Sequence, residues 1–194
     1  MSKLELWIPC KPTSLNQGFG NVLKVYTDMG LKGHNGFDYY APDNTIVRAA
    51  HDGIVTFAGE DGSGGIGIVI RTNDQFEYKD GYSYFKSVYW HLKPGTLKVT
   101  AGNQVKVGQE IARADNTGLS TGSHLHFGLK PVYQGEQEWQ WFNAEQENGY
   151  KGSIDPTPYM TKFYAEDEVL IISILTKLVI LYKNLLENLK GRRF

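Results

Sequence analysis

The chain carries five histidines, His34, His51, His91, His124 and His126, and four of them fall in stretches whose residue types suit metal chemistry. In His124-Leu125-His126-Phe127-Gly128-Leu129 the two histidines are two residues apart. On a strand, alternate side chains face the same way, so both imidazoles point to one face while Leu125, Phe127 and Leu129 point to the other. The apolar set can anchor the strand in a core with both imidazoles facing a cleft. Both can meet one metal, or one can bind it while the other works beside it. In Gly33-His34-Asn35-Gly36-Phe37-Asp38, His34 and Asp38 are four apart. An extended segment puts them on one side, with Gly36 between them offering no side chain to block an ion. A neutral imidazole and a carboxylate are good zinc ligands. Taken singly, each stretch has a plainer reading, a surface histidine pair in one case and a His-to-carboxylate hydrogen bond in the other.

Taken together they supply three ligands: His34, Asp38 and one or both of His124 and His126. A catalytic zinc typically takes three protein ligands at about 2.0–2.2 Å and leaves a position for water. Two neutral imidazoles and a carboxylate leave such a site one formal positive charge. The ion lowers its water's pKa to about 7, which makes hydroxide available at neutral pH. That chemistry also needs a proton acceptor and, for an amine leaving group, a donor. The helical H-E-x-x-H motif that supplies them in zincins is absent. His91, in Tyr89-Trp90-His91-Leu92, is the first candidate, and the spare member of the His124/His126 pair is the second. His51, ahead of Asp52-Gly53, matches no ligand spacing and reads as a structural or surface residue.

Other motifs fail on context. Gly62-Ser63-Gly64-Gly65-Ile66-Gly67 matches G-x-G-x-x-G, but a strand follows where a dinucleotide site needs a helix. Gly118-Leu119-Ser120-Thr121-Gly122 matches G-x-S-x-G, but the histidine strand follows where a nucleophile elbow needs a helix, so Ser120 reads as loop scaffold. Cys10, the only cysteine, has no histidine near it in sequence, and its solitude excludes an internal disulfide framework. The stretch 102–112 is similar to the turn regions of biotinyl or lipoyl carrier domains, without their modifiable lysine hairpin.

The elements that must position these residues are mostly strands. At 194 residues and 41% hydrophobic, the chain is long enough for one domain with a real core, or one domain and an appendage. Twenty basic against 21 acidic residues give a net charge of −1, which argues against a general nucleic-acid binder. Strands are predicted at Ile54–Ala58, Ile66–Arg71, Ser83–His91, Gln109–Arg113 and His124–Lys130, separated by turn dipeptides such as Asp61-Gly62 and Pro94-Gly95. No helical stripe is predicted before residue 165. The pattern suits a mainly β fold, an antiparallel sandwich or barrel-like sheet. Residues 131–160 read as a long loop plus an edge element, with Trp139, Trp141 and Phe142 embedded, and Trp139 and Trp141 are suited to bind glycan or peptide or to shape a groove wall.

The expected domains are 1–160, carrying the chemistry, and 161–194, a helix. Glu166, Asp167 and Glu168 precede its apolar run and Lys190, Arg192 and Arg193 follow it, complementing a helix dipole. Ile171, Leu175, Leu178, Tyr182, Leu185 and Leu189 recur at heptad spacing. Three destinations suit the helix over 166–194: docking on its own domain, self-association and membrane contact. The N-terminus lacks the basic start and apolar run of a signal peptide, so synthesis in a cytoplasm is expected.

The stretches around His34-Asp38, His51, His91, residues 102–129 and Ile154-Asp155-Pro156-Thr157-Pro158-Tyr159-Met160 resemble the lysostaphin-type (LytM-type) peptidoglycan metalloendopeptidases, in order from about Gly18 to Met160. The resemblance implies a β-sheet fold with a long narrow groove and one zinc ion. It implies His34, Asp38 and His126 as ligands, with His91 and His124 as the paired catalytic histidines. It implies cleavage of stem-peptide or cross-bridge bonds at the bacterial cell wall; the short layout resembles phage lysins or virion-associated enzymes. A wall-binding or regulatory domain without turnover is the alternative within the same fold.

Overall fold

The computed structural model describes residues 2–138, 140–162 and 165–190. The chain divides into two compact units, residues 1–162 and residues 163–194. The first contains strands β1 (Leu6–Trp7), β2 (Leu15–Gln17), β3 (Phe37–Tyr40), β4 (Ile46–Arg48), β5 (Gly53–Asp61), β6 (Gly65–Thr72) and β7 (Phe76–Tyr78). It continues with β8 (Gly81–Trp90), β9 (Gln104–Val105), β10 (Glu110–Arg113), β11 (His124–Gln134), β12 (Trp141–Asn143) and β13 (Met160–Lys162). A short helix, α1 (Lys24–Asp28), interrupts the series, and α2 (Ala165–Lys190) makes up the second unit.

The frame is a nine-stranded sheet of order β2-β3-β11-β8-β6-β5-β9, with β12 added on β11 and β7 on β8. Its pairings are antiparallel. Two small sheets flank it, β4 with β10 and β1 parallel to β13. The strand alternation read from the sequence decides the faces. Ile68 and Ile70 of β6, Phe85 and Tyr89 of β8, and Leu125, Phe127 and Leu129 of β11 are buried on the core side. Their neighbours Val69, Arg71, Lys86, Trp90, His126 and Lys130 lie on the opposite face by the same alternation. Inside the core the Tyr89 hydroxyl accepts the Ala50 amide at 2.8 Å and lies 3.1 Å from Ser87 Oγ. His51 completes this chain, its Nδ1–H donating to the Asp52 carbonyl at 2.8 Å and its Nε2 lying 2.8 Å from Ser87 Oγ. His51 is therefore an interior structural residue, not a surface one, and burial pushes its imidazole down to about 4.

Two departures from the sequence reading matter for the site. The helix α1, five residues with none buried, has no apolar stripe to betray it. β11 runs on to Gln134 before the loop begins, and Trp141–Asn143 returns as the edge strand against it. In α2, Leu175, Leu178, Tyr182 and Leu185 are each more than half exposed. Of the expected heptad, the Ile171 and Leu189 side chains lie outside the described residues, as do Trp139, Arg192 and Arg193.

Candidate metal centre and active site

Four elements converge on one face of the sheet. Antiparallel pairing of β11 with β3 sets His126 opposite Asp38, and pairing with β8 sets His126 opposite Trp90. His34 comes from the turn just before β3, and His91 from the residue just after β8. The result is a compact cluster. His34 Nε2 lies 3.0 Å from Asp38 Oδ1, His126 Nδ1 lies 2.9 Å from the same oxygen, and the two nitrogens are 3.0 Å apart. All three side chains are buried, with residue exposures of 1%, 5% and 8% for His34, Asp38 and His126. Bonds of about 2.0–2.2 Å in a tetrahedron set ligand atoms about 3.4 Å apart. Three donor atoms at this spacing, two imidazole and one carboxylate, suit a small divalent cation. Among the described residues they are the one group of three or more His, Cys, Asp or Glu side chains close enough to share an ion.

The surroundings fix the rings. The Nδ1–H of His34 donates to the Gly18 carbonyl at 3.0 Å, which leaves Nε2 as the lone-pair atom facing Asp38. The Tyr26 ring from α1 stacks on His34 with centroids 5.1 Å apart and is itself held by a 2.7 Å hydrogen bond to Gln17. Gly36 is small for a different reason from the one its spacing suggests. A Cβ there would fall 2.5 Å from the Phe127 carbonyl and 2.8 Å from the His126 ring, so glycine lets the His34–Asp38 segment lie directly against β11. Burial pushes the Asp38 carboxyl up, but the close His126 and His34 imidazoles outweigh it and hold the group well below the usual carboxylate range. Burial likewise lowers His126, against the pull of Asp38.

His91 and His124 stand beside the cluster, ring centroids 4.5 Å apart. His91 has φ of 64°, a left-handed conformation that costs a non-glycine residue free energy. It is over-determined there: its amide donates to the Gly64 carbonyl, its carbonyl accepts the Asp115 amide, and its Nδ1–H donates to the Thr117 carbonyl at 2.7 Å. Burial pushes the His91 imidazole down to about 4 against the upward pull of that carbonyl, so it is a neutral base at pH 7. The Nδ1–H of His124 donates to the Gly122 carbonyl at 2.8 Å, with Ser120 Oγ 3.2 Å away, and its Nε2 reaches to 3.6 Å from Asp38 Oδ1. Both rings are thus held in the tautomer whose Nε2 is free to take a proton.

The five residues line a groove of about 420 Å³ whose walls include Tyr26, Trp90, Leu119 and Lys130. Of the loop and edge element after β11, Lys151 is the one described residue that reaches the groove, so the described part of that segment leaves it open. Trp141 lies instead over Arg71, its ring centroid 4.3 Å from the guanidinium carbon. Sequence reasoning missed Tyr26, Thr117 and the contact of Ser120 with His124; the last was hinted at by four-residue spacing within one glycine-bounded loop. Cys10 is fully buried, and burial pushes its thiol up to about 12, which leaves it inert.

Residues 32–139 match the profile of the family described as Peptidase family M23. The DD-carboxypeptidase/endopeptidase Mpg of Neisseria meningitidis is 38% identical over 94 residues, 48% of this chain and 19% of that protein. The glycyl-glycine endopeptidase ALE-1 of Staphylococcus capitis is 38% identical over 104 residues, covering 51% of this chain and 25% of the relative. The chain thus spans about a fifth to a quarter of the length of these two relatives. Among solved structures, the catalytic domain of lysostaphin from Staphylococcus simulans superposes with a TM-score of 0.56 at 25% identity, covering 75% of this chain and 90% of that one. Csd3 of Helicobacter pylori superposes with a TM-score of 0.53 at 25% identity, covering 99% of this chain and 45% of that one.

Proposed function

The chain belongs to peptidase family M23, and we propose that it is a zinc-dependent endopeptidase that hydrolyses peptide bonds of bacterial peptidoglycan at the cell wall. One observation carries this reading: three buried ligand atoms within 3.0 Å of one another, flanked by two histidines whose Nδ1–H groups are each pinned by a backbone carbonyl. His34 Nε2, Asp38 Oδ1 and His126 Nδ1 are the residues that would hold one zinc. When bound, the ion supplies Lewis acidity, polarising a peptide carbonyl and acidifying water to a pKa of about 7. His91 and His124 do the proton work. One accepts the proton of the attacking water as the new C–O bond forms. The imidazolium so formed hands that proton to the departing amine as the C–N bond breaks, and the other imidazole, when it carries a proton taken from water, stabilises the oxyanion. The names of relatives support this substrate: a DD-carboxypeptidase/endopeptidase, a glycyl-glycine endopeptidase and, in ShyC of Vibrio cholerae, a peptidoglycan DD-endopeptidase.

His91→Ala is expected to keep one equivalent of zinc by metal analysis while losing about 10²–10⁴-fold in release of new amino ends from purified cell walls. His126→Ala is expected to lose both zinc and turnover. Full turnover by His126→Ala, or by the metal-stripped protein, would overturn the reading. Binding of walls by the native protein with no released peptide would instead favour a non-catalytic wall-binding domain.

A further inference from the structure

The face of the sheet that carries the metal centre also carries a row of cations with no ion-pair partner among the described residues. Arg71 on β6 is in register with Lys86 on β8, and Lys86 is in register with Lys130 on β11. Register partners on adjacent strands share a face, with Cβ atoms about 4.5–5.5 Å apart, where like charges are destabilising. Lys130 is four residues along β11 from His126, so the row runs about 13 Å from the centre on the same side of the sheet. Lys130 and Lys151 line the same groove as the five site residues, and Lys86 lines a neighbouring depression of about 410 Å³ with Trp141. Burial, together with the neighbouring cations, pulls both Lys86 and Lys130 below the usual lysine range. Arg71 packs against the edge-to-face pair of Tyr84 and Trp141, its guanidinium carbon 5.0 and 4.3 Å from their ring centroids, and its buried Nε has no hydrogen-bond partner among the described residues. Among the described residues the acid that acts on Lys130 is Asp61, at the end of β5, and it makes no ion pair within 4.0 Å with Arg71, Lys86 or Lys130.

A fold gains nothing from half-burying like charges side by side unless an anion joins them. Resting on the peptidase reading above, we propose that Lys86 and Lys130, backed by Arg71 and Lys151, form a subsite for a free carboxylate of the bound peptide. A distance of about 13 Å is the reach of about four residues of extended chain. The preferred substrate is then an acidic stem peptide lying along the groove, rather than a neutral oligoglycine bridge.

The test is equilibrium binding of the peptide Ala–γ-Glu–Lys–Ala with free carboxylates against the same peptide with both carboxylates amidated, by calorimetry on the full chain. The acid form is expected to bind at least about tenfold more tightly, an advantage abolished in the double variant Lys86→Gln/Lys130→Gln. That variant is expected to melt no lower than the native protein, because it relieves repulsion. With cross-linked dimers of the two peptides, the variant is expected to raise KM for the acid form about tenfold and leave kcat unchanged. Equal binding of acid and amide, or equal weakening of both by the variant, would overturn the subsite while leaving the peptidase reading intact. A preference for the acid without hydrolysis of either dimer would sink the peptidase reading and leave the subsite standing.

Discussion

At the scale of single residues, the site is built from side chains whose second nitrogen is occupied. His34, His91 and His124 each spend Nδ1–H on a backbone carbonyl, at 3.0, 2.7 and 2.8 Å. A carbonyl accepts and never donates, so the tautomer is set by the main chain rather than by titration. Ser120 adds a side-chain contact to one of these. Ser120→Ala is expected to lower kcat about fivefold with zinc content and KM unchanged, because the Gly122 carbonyl still holds the ring; loss of zinc in that variant would mean Ser120 supports the metal cluster instead. How much of this was readable beforehand depended on range. Two-residue and four-residue spacings placed His124 with His126 and His34 with Asp38, because strand geometry is local. Spacing alone left open which of His124 and His126 joins the cluster. That choice depends on the register of β11 against β3, which puts His126 opposite Asp38 and His124 opposite Tyr40.

At the scale of elements, two glycine motifs that each lead into a strand turn out to meet. The β5–β6 hairpin tip and the loop before β11 pack backbone on backbone: the Leu119 amide donates to Ser63 at 2.8 Å, and the Ile66 amide to Thr117 Oγ1 at 3.1 Å. Gly65 has φ of 66°, and a Cβ on it would lie 2.4 Å from the Thr117 carbonyl carbon. Gly118, with φ of 75°, would collide in return with the Gly65 nitrogen at 2.3 Å. This contact is what brings the Thr117 carbonyl to His91. Gly65→Ala is expected to cost about 2–4 kcal/mol of stability and to cut turnover sharply, as measured by denaturant unfolding and peptide release. Gly122→Ala, in the same loop but with open space around its Cβ and no positive φ, is expected to stay within about 0.5 kcal/mol of the native protein. Glycine-rich turns were plain in the sequence, but their meeting was not, since it joins residues more than fifty positions apart. The basic row was hidden for the same reason. Arg71, Lys86 and Lys130 each look like an ordinary polar position on a half-buried strand until three strands are aligned.

At the scale of the whole molecule, acid works against the fold. His51 is buried and its folded pKa is depressed to about 4, against 6.5 in the unfolded chain. The stability it permits is fully present above pH 6.5 and lost progressively as pH falls toward 4, by up to about 3 kcal/mol. His51→Asn is expected to be less stable at pH 7 yet to lose less on going to pH 4.5, by urea unfolding at both values. An unchanged pH slope would show that His51 does not titrate on unfolding. The sequence marked His51 as non-ligand but could not say whether it lay inside, because the Ser87–Tyr89 chain that receives it comes from a strand thirty-six residues away. Finally, β1 runs parallel to β13, with Leu6 beside Met160. The polypeptide therefore enters and leaves the β unit on neighbouring strands, about 5 Å apart. That pairing ties the first strand of the unit to its last, so fraying at either end strips its partner of hydrogen bonds and the two ends must let go together.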